Sequence, residues 1–409
     1  MDHPSSTDSS LQMTSNLIND DKRTSADSLH KLVPMLSLCP LQFQNPDCIT
    51  NDKEDNNPVL MPQIGFGTYK FKKDSGEAEE AVLQALSVGY RHIDTAFVYG
   101  GEKTELEVGR ALQQAMSDKK SDHDASSSSI GGLKRSDIFV TTKQWRAYHG
   151  YEKTKQCLAK SLKRLQLDFV DLYLMHWPGP NPADVRASES EINMPELRAE
   201  TWRAMEDLYL EGKCRAIGVS NCSIAHLESL KRYCKGKGGC RLWPPAINQI
   251  EVHPYNPQTE LIQYCQKEGI AVQAYASLGG QDAGKKAWKA LGGKLLEREE
   301  VQKIAQKHSL TNAQVLLQWA VLQGYGVIPK SSKMNHMVQN LEAVTMTTCL
   351  APARQGDEKD DKETAKGRLD AADMELLKSL DLSQSKDETI RDRVRLCWVR
   401  DPLKMLDFE

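Results

Sequence analysis

The sequence predicts an α/β fold of the (β/α)8 TIM-barrel type, built as a single domain, and three observations support this prediction. The chain has 409 residues, a length that such barrels reach when their loops carry insertions. From residue 58 onward, short apolar segments alternate with stretches of helical periodicity. Several apolar segments end in a polar or ionisable residue, which would place those residues together on one rim of the barrel.

Eight short segments rich in apolar residues are the predicted strands. Strands alternating with helices pair in parallel, and parallel strands covered on both faces are apolar throughout. In chain order the segments are 63–67 (QIGFG), 91–95 (RHIDT), 137–142 (DIFVTT), 170–175 (VDLYLM), 216–220 (AIGVS), 246–251 (AINQIE), 270–276 (IAVQAYA) and 326–329 (GVIP).

The segments between them carry apolar stripes at helical spacing. Asp74 and Glu77 have the spacing of a capping box in front of the first helix, and Gly212 fits the end of a later one. The clearest predicted helices span residues 79–86, 196–213 and 312–324.

An open doubly wound sheet is the alternative to a barrel. Such a sheet would bind a dinucleotide through a G-x-G-x-x-G loop after its first strand. Residues 65–69 read GFGTY, which lacks the third glycine and any start of a helix. The barrel is therefore favoured.

Four regions lie outside the barrel pattern. Residues 1–57 are rich in serine and acidic residues, with nine acids and four bases, and predict a disordered extension. A docking segment within the apolar stretch 32–41, or an extension without function, remains open for that region. Residues 117–132 and 351–367 predict inserted surface loops, and residues 385–409 a tail near the barrel rim.

Composition argues against several classes of protein. A net charge of −3 gives no strong attraction to nucleic acid or to an anionic membrane, and no apolar run approaches the length of a membrane helix. The ten cysteines include no CxxC pair, which predicts reduced thiols and no metal. We expect a cytoplasmic protein, a monomer, with neither nucleic acid nor membrane as partner.

Four residues near the ends of consecutive predicted strands form a plausible chemical unit: Asp94, Tyr99, Lys143 and His176. Each alone has a structural explanation, such as a turn, a cap or a solvated side chain. Together, Asp94 would hold the Lys143 ammonium, and that charge would lower the pKa of the Tyr99 phenol from its ordinary value of about 10. Tyr99 and His176 would then polarise a carbonyl, whose reduction needs a hydride that only a cofactor such as nicotinamide supplies.

From about residue 58 the chain resembles the aldo-keto reductase superfamily. The resemblance is carried by GFGTYKF, GYRHIDTAFVYGGEKTELEVGRAL, VTTKQW, DLYLMHWPG, GKCRAIGVSN, INQIEVHPY and VIPKSS, in the family's order. It implies a catalytic (β/α)8 barrel, an NADPH-dependent reductase of aldehydes and ketones, and Asp94, Tyr99, Lys143 and His176 as its catalytic tetrad, with Tyr99 as the general acid.

The resemblance also implies an NADPH site, with NADH as the less favoured nucleotide. Two departures bear on it: Ala276 stands where the family has a serine, and His336 stands where it commonly has an arginine for the 2′-phosphate. Ser277 and Lys333 are candidate substitutes for those groups. The implied cofactor-binding residues are Thr68, Tyr69, Asp94, Ser220, Asn221, Gln249, Tyr275, Ser277, Leu278, Lys330, Ser331, Lys333, His336, Gln339 and Asn340.

Aromatic residues on the rim loops are the candidate wall of a substrate pocket, which would favour apolar or aromatic carbonyl compounds. The candidate substrate-binding residues are Tyr69, Phe97, Trp145, His176, Trp177 and Trp398. A non-enzymatic relative that binds the cofactor and acts as a regulatory or interaction protein is the alternative. A metal-dependent barrel hydrolase is set aside, because its His-x-His motif and clustered carboxylates are missing from the strand ends.

Overall fold

Eight parallel strands form the centre of the computed structural model and confirm the predicted barrel. The structure describes residues 31, 33–38, 42–43, 58–117, 131–180, 192–236, 239–280, 288–349, 367–391 and 394. The strands are β1 (Met35–Ser37), β2 (Gln42–Phe43), β3 (Leu60–Pro62), β4 (Phe66–Gly67), β5 (His92–Asp94), β6 (Phe139–Gln144), β7 (Val170–Met175), β8 (Cys214–Ser220), β9 (Leu242–Trp243), β10 (Ile247–Glu251), β11 (Ala271–Tyr275) and β12 (Gly326–Val327).

The barrel consists of β4 to β8 and β10 to β12, which pair in chain order. The first and last barrel strands meet through a parallel bridge between Ile64 and Val327, and the amide of Gly65 donates to the carbonyl of Val327 at 2.8 Å. This contact closes the sheet, so the carboxyl ends of all eight strands face the same rim.

Helices alternate with these strands and cover the outside of the barrel. Their buried residues repeat at helical spacing, as the apolar stripes predicted. The helices are α1 (Glu77–Ser87), α2 (Thr104–Met116), α3 (Tyr151–Leu165), α4 (Met194–Leu210), α5 (Ile224–Lys235), α6 (Thr259–Glu268), α7 (Glu299–His308), α8 (Asn312–Leu322), α9 (Met334–Cys349), α10 (Ala371–Lys378) and α11 (Glu388–Arg391). Across the described ranges, no helix combines the length and apolar character needed to span a membrane.

The predicted capping box at the start of α1 is wrong. Gly76 is the N-cap residue and has no side chain to cap the helix, and the hydroxyl of Ser75 accepts from the amide of Glu77 at 3.3 Å. The carboxylate of Glu107 on α2 instead accepts from the amides of Gly76 and Ala78, at 3.3 and 3.0 Å. A partner about 30 residues away in sequence therefore satisfies this helix end.

The N-terminal end of the barrel is closed by residues before the predicted domain boundary. Strand β1 pairs antiparallel with β3, and β2 pairs with β9. Leu38 and Met61 are fully buried against barrel residues such as Leu172 and Ile247. The structure thus differs from the expected disorder of residues 1–57 at residues 33–38 and 42–43, and it places part of the 32–41 segment against the barrel.

The other regions outside the barrel pattern lie largely beyond the described residues. This holds for most of 117–132, for 350–366, and for the tail apart from residues 385–391 and 394.

Candidate active site

Lys143 is fully buried and lies beside Asp94 at the carboxyl ends of two neighbouring strands. Its Nζ atom donates to Asp94 Oδ1 at 2.5 Å and to the carbonyl of Thr95 at 2.8 Å. Burial lowers the pKa of Lys143, and the adjacent Asp94 carboxylate acts in the opposite direction. Asp94 is therefore the counter-charge that favours a protonated lysine inside the barrel.

Tyr99 completes a contiguous chain of three side chains. It begins a short 3-10 turn after β5, and its Oη atom accepts from Lys143 Nζ at 3.3 Å. The same ammonium lies 5.0 Å from the centre of the Tyr99 ring. The phenol of Tyr99 thus lies at the rim with a cation directly behind it.

His176 directly follows β7 and lies on the other side of Tyr99, with ring centres 5.9 Å apart. Burial, with smaller effects of Lys143 and Arg146, lowers the pKa of His176 well below its usual range. At neutral pH the imidazole is therefore uncharged, and it acts as a hydrogen-bonding group rather than as an acid.

Two buried glutamines hold Asp94 in place, a role that the sequence did not predict for them. Gln249 Nε2 donates to Asp94 Oδ2 at 2.8 Å and to Gln273 Oε1 at 2.6 Å, and all three side chains are buried. Thr68 adds a bond from its hydroxyl to the carbonyl of Asp94 at 2.9 Å. Asp94 is thus fixed on both its side chain and its backbone.

Four of the expected cofactor-binding residues form a connected network with His176. Tyr275 Oη donates to Asn221 Oδ1 at 2.7 Å, and Asn221 Nδ2 donates to the carbonyl of His176 at 3.0 Å. Ser220 Oγ donates to the carbonyl of Gln249 at 2.7 Å. The Tyr275 ring is half-buried at the end of β11, so the network borders the same rim as Tyr99.

The residues expected at the phosphates lie farther along the rim, where β12 leads into α9. Lys330, Lys333 and His336 are exposed, and Ser331 Oγ accepts from the amide of Lys333 at 3.0 Å. Next to α9's first turn these side chains can meet an anion together with the helix N-terminus. On α9 itself, Gln339 is half-buried and Asn340 is buried.

The loop after β11 carries two of the expected cofactor-binding residues, Ser277 and Leu278. Ser277 is buried, and its hydroxyl donates to the carbonyl of Ala274 at 3.3 Å. The hydroxyl is therefore turned toward its own strand, and the role expected of Ser277 in cofactor binding stays a prediction. Leu278 is half-buried and packs against the core.

Three of the candidate aromatic residues lie close to the tyrosine or histidine. The Tyr69 ring is 43% exposed and 5.0 Å from the Tyr99 ring. The rings of Trp145 and Trp177 lie 6.1 and 6.2 Å from His176. Tyr69 and Trp145 border the space next to His176 and Tyr99, whereas Trp177 is buried.

Phe97 does not join that group. Phe97 is buried and packs between the Tyr148 ring at 4.8 Å and the Arg164 guanidinium at 4.2 Å. The structure therefore places it under the loop rather than on a pocket wall. Trp398 lies outside the described residues.

Comparison with known proteins identifies relatives in sequence and in structure. The sequence profile of the aldo/keto reductase family matches residues 63–349. Glyoxal reductase of Bacillus subtilis is 37% identical over 70% of this chain and 84% of its own length. Glycerol 2-dehydrogenase (NADP(+)) of Saccharomyces cerevisiae is 37% identical over 72% of this chain and 86% of its own length.

D/L-glyceraldehyde reductase of Hypocrea jecorina is 36% identical over 71% of this chain and 82% of its own length. Among solved structures, an aldo/keto reductase from Brucella melitensis aligns with a TM-score of 0.59 and 33% identity. That alignment covers 85% of this chain and 98% of the other, so the similarity extends over the whole barrel.

Proposed function

The chain belongs to the aldo/keto reductase family, and we propose that it reduces aldehydes and ketones to alcohols with NADPH, using Tyr99 as the proton donor. The observation that carries this proposal is the continuous chain of contacts from Asp94 through Lys143 to Tyr99. A buried ammonium next to a phenol favours release of the phenolic proton, which a carbonyl reduction requires.

The side chains divide the chemical work. Tyr99 gives its proton to the carbonyl oxygen as negative charge develops there, and Lys143 stabilises the phenolate that remains. The neutral His176 donates a hydrogen bond to the same oxygen and fixes its direction. Gln249 and Thr68 keep Asp94 in place, so that the charge of Lys143 is held at a constant position.

The rim residues fit a nicotinamide nucleotide. The Tyr275 ring offers a flat, half-buried surface, Asn221 and Ser220 offer amide and hydroxyl groups, and exposed lysines stand beside α9's first turn. Bound there, the reduced nicotinamide supplies the hydride that no side chain can supply. Lys330 and Lys333 favour NADPH over NADH, because the 2′-phosphate adds negative charge near both.

The substrate proposed here is a small carbonyl compound with an apolar or aromatic part. Tyr69 and Trp145 present aromatic surface next to the tyrosine and histidine, and the buried Trp177 stacks on His176. Relatives are named as reductases of glyoxal and glyceraldehyde, so these two aldehydes belong in the first substrate panel. We further propose a cytoplasmic location, based on ten cysteines without a CxxC pair, and a monomer, whose mass light scattering tests.

Replacement of Tyr99 by phenylalanine tests the function directly. We expect kcat for every active carbonyl in the panel to fall by about 10²- to 10⁴-fold, the usual contribution of a general acid, because the ring keeps its place but loses its proton. The measurement is the loss of reduced-nicotinamide absorbance. Tyr264→Phe is the matched control, since its hydroxyl bonds Glu228 on the outside of the barrel, and it should keep the wild-type rate.

An unchanged rate in Tyr99→Phe would refute the assigned proton donor. Binding of NADPH without turnover of any carbonyl would instead support a regulatory or interaction protein. Repeating the panel with NADH tests the nucleotide preference, and equal kcat/KM for both nucleotides would contradict the role given to Lys330 and Lys333.

A further inference from the structure

One arginine on the outside of the barrel contacts the loop that carries Tyr99. Arg164 is near the end of α3, and its guanidinium lies 4.2 Å from the centre of the Phe97 ring, two residues before Tyr99. The same group forms an ion pair with Glu102, three residues after Tyr99. Arg164 thus contacts the loop on both sides of the tyrosine, and its side chain is only 15% exposed.

A second carboxylate anchors the arginine to the barrel wall. Arg164 Nη1 lies 3.3 Å from Glu105 Oε2, and the other oxygen of Glu105 accepts from Thr142 Oγ1 at 2.7 Å. Thr142 directly precedes Lys143 on β6. Arg164 therefore ties the loop to the strand that holds the lysine facing Tyr99.

The approach of α3 to α2 depends on Gly109. Gly109 lies one helical turn after Glu105, and a Cβ atom there would come within 2.3 Å of the Arg164 carbonyl oxygen. Such a contact is shorter than any real side chain permits. The two helices are thus packed so closely that Arg164 reaches both Glu105 and the loop.

The loop backbone is anchored at its start, where the amide of Phe97 donates to the carbonyl of Lys143 at 3.2 Å, but it adopts an unfavourable conformation after Tyr99. Gly100, Gly101 and Glu102 all have positive φ angles, of 57°, 59° and 77°. Two consecutive glycines have many alternative conformations, and a glutamate in this region costs about 1–3 kcal/mol unless its surroundings hold it. The ion pair with Arg164 is the contact that holds the Glu102 side chain in this conformation.

We propose that Arg164 is a positioning residue, which orders the loop 97–102 through Phe97, Glu102 and Glu105 and so keeps the Tyr99 hydroxyl beside Lys143. This inference rests on the proposed reductase function for its effect on the rate, but not for its effect on the loop. An arginine fork is suited to the role because it contacts two carboxylates and one ring face simultaneously, which a lysine cannot do.

The activity test compares Arg164→Met with the wild type. The methionine keeps apolar contact with Phe97 but loses both ion pairs, so we expect kcat to fall about tenfold, since a shift of about 1 Å in a catalytic group can cost up to 10²-fold. The KM for NADPH should stay unchanged, because Arg164 contacts Phe97, Glu102 and Glu105, none of which is assigned to the nucleotide. Arg164→Lys, which keeps the charge without the fork, should show an intermediate loss.

The pH profile separates positioning from a general loss of structure. The alkaline fall of kcat in the reduction direction should move to higher pH in Arg164→Met, because the phenol would lie farther from the ammonium of Lys143. Arg110→Met is the control, since Arg110 on α2 pairs with Glu79 in a comparable ion pair away from the loop. It should leave both kcat and the profile unchanged.

Two further measurements keep the test decisive. Glu102→Gln removes only the half-exposed end of the pair, so it should fold and shift kcat and the profile in the same direction by a smaller amount. Hydrogen exchange of backbone amides 97–103 should rise in both variants in the absence of any substrate.

Unchanged exchange in this loop, together with kcat within twofold of the wild type in both variants, would overturn the inference. If no carbonyl is reduced by the wild type, the proposed function fails on its own, and the exchange experiment still decides whether Arg164 orders the loop.

Discussion

A fully buried lysine stays charged only if an acceptor lies within a few ångströms, and here Asp94 has that role. The aspartate does more than neutralise charge, since its second oxygen is held by Gln249. Residues on three different strands therefore hold the Lys143 ammonium in place, and this fixes the charge that lies next to Tyr99.

Asp94→Asn tests the counter-charge with little change of shape. The amide leaves Lys143 buried without a negative partner, so the pKa of Lys143 should fall further and the lysine should lose its proton at lower pH. We expect kcat at pH 7 to drop by about 10²-fold, in line with the several kcal/mol that an unpaired buried charge costs. A neutral Lys143 no longer favours the phenolate of Tyr99, so the alkaline fall of the remaining activity should move to higher pH.

Asp171→Asn is the matched control for that variant. Asp171 is as buried as Asp94 and pairs with Arg135 and Arg215. It lies near the start of β7, at the end of the barrel away from the rim. Asp171→Asn should lower the free energy of unfolding without moving the pH profile of kcat. A profile that stays in place in Asp94→Asn as well would contradict the role of Asp94.

The sequence predicted the site residues at the strand ends, but it did not predict the contacts that hold them in place. Asp94, Lys143 and His176 each stand at or next to the end of an apolar segment, which is a local pattern. The bond from Gln249 to Asp94 joins residues 155 positions apart, and no spacing rule anticipates it. Phe97 was misplaced for a related reason, because only the packing of α3 shows which face of the loop it occupies.

At the scale of elements, strands were easier to predict than the ends of helices. Buried strands are apolar along their whole length, so their sequence alone marks them. The start of α1 looked like a local capping box, yet Glu107 on a neighbouring helix satisfies its amides. Segment 33–38 was hard to assign, because its short apolar run gains a partner only when the barrel has formed.

Leu38→Ala tests whether that N-terminal segment contributes to stability. Leu38 is fully buried with Met61 at the N-terminal end of the barrel, so truncation should lower the free energy of unfolding by about 2–4 kcal/mol. The rim lies at the other end, and kcat should therefore stay at the wild-type value. Denaturant titration and the carbonyl assay measure the two effects.

Met35→Ala is the control within the same segment, since Met35 is 48% exposed and its loss should change stability by less than about 0.5 kcal/mol. If Leu38→Ala has an equally small effect, the segment does not dock on the barrel in solution.

At the scale of the whole molecule, buried neutral histidines make the fold sensitive to acid. Burial lowers the pKa of His92 to about 4 and that of His149 to about 3, and it lowers the pKa of His176 well below its usual range. In the unfolded chain each would have a pKa near 6.5, so below that pH the unfolded state binds more protons. The stability present above about pH 6.5 should therefore be lost as the pH falls toward 4, by up to about 1.4 kcal/mol per pH unit for each histidine.

His149→Gln isolates one of these contributions. Burial raises the pKa of Glu105 and Glu206, which has the opposite sign and partly offsets the total, so a difference between variants is the sharper measurement. The free energy of unfolding, measured in urea from pH 7.5 to 5, should fall less steeply in His149→Gln, by about 1 kcal/mol per pH unit below pH 6. Equal slopes in His149→Gln and the wild type would mean that His149 is not held neutral by the folded barrel.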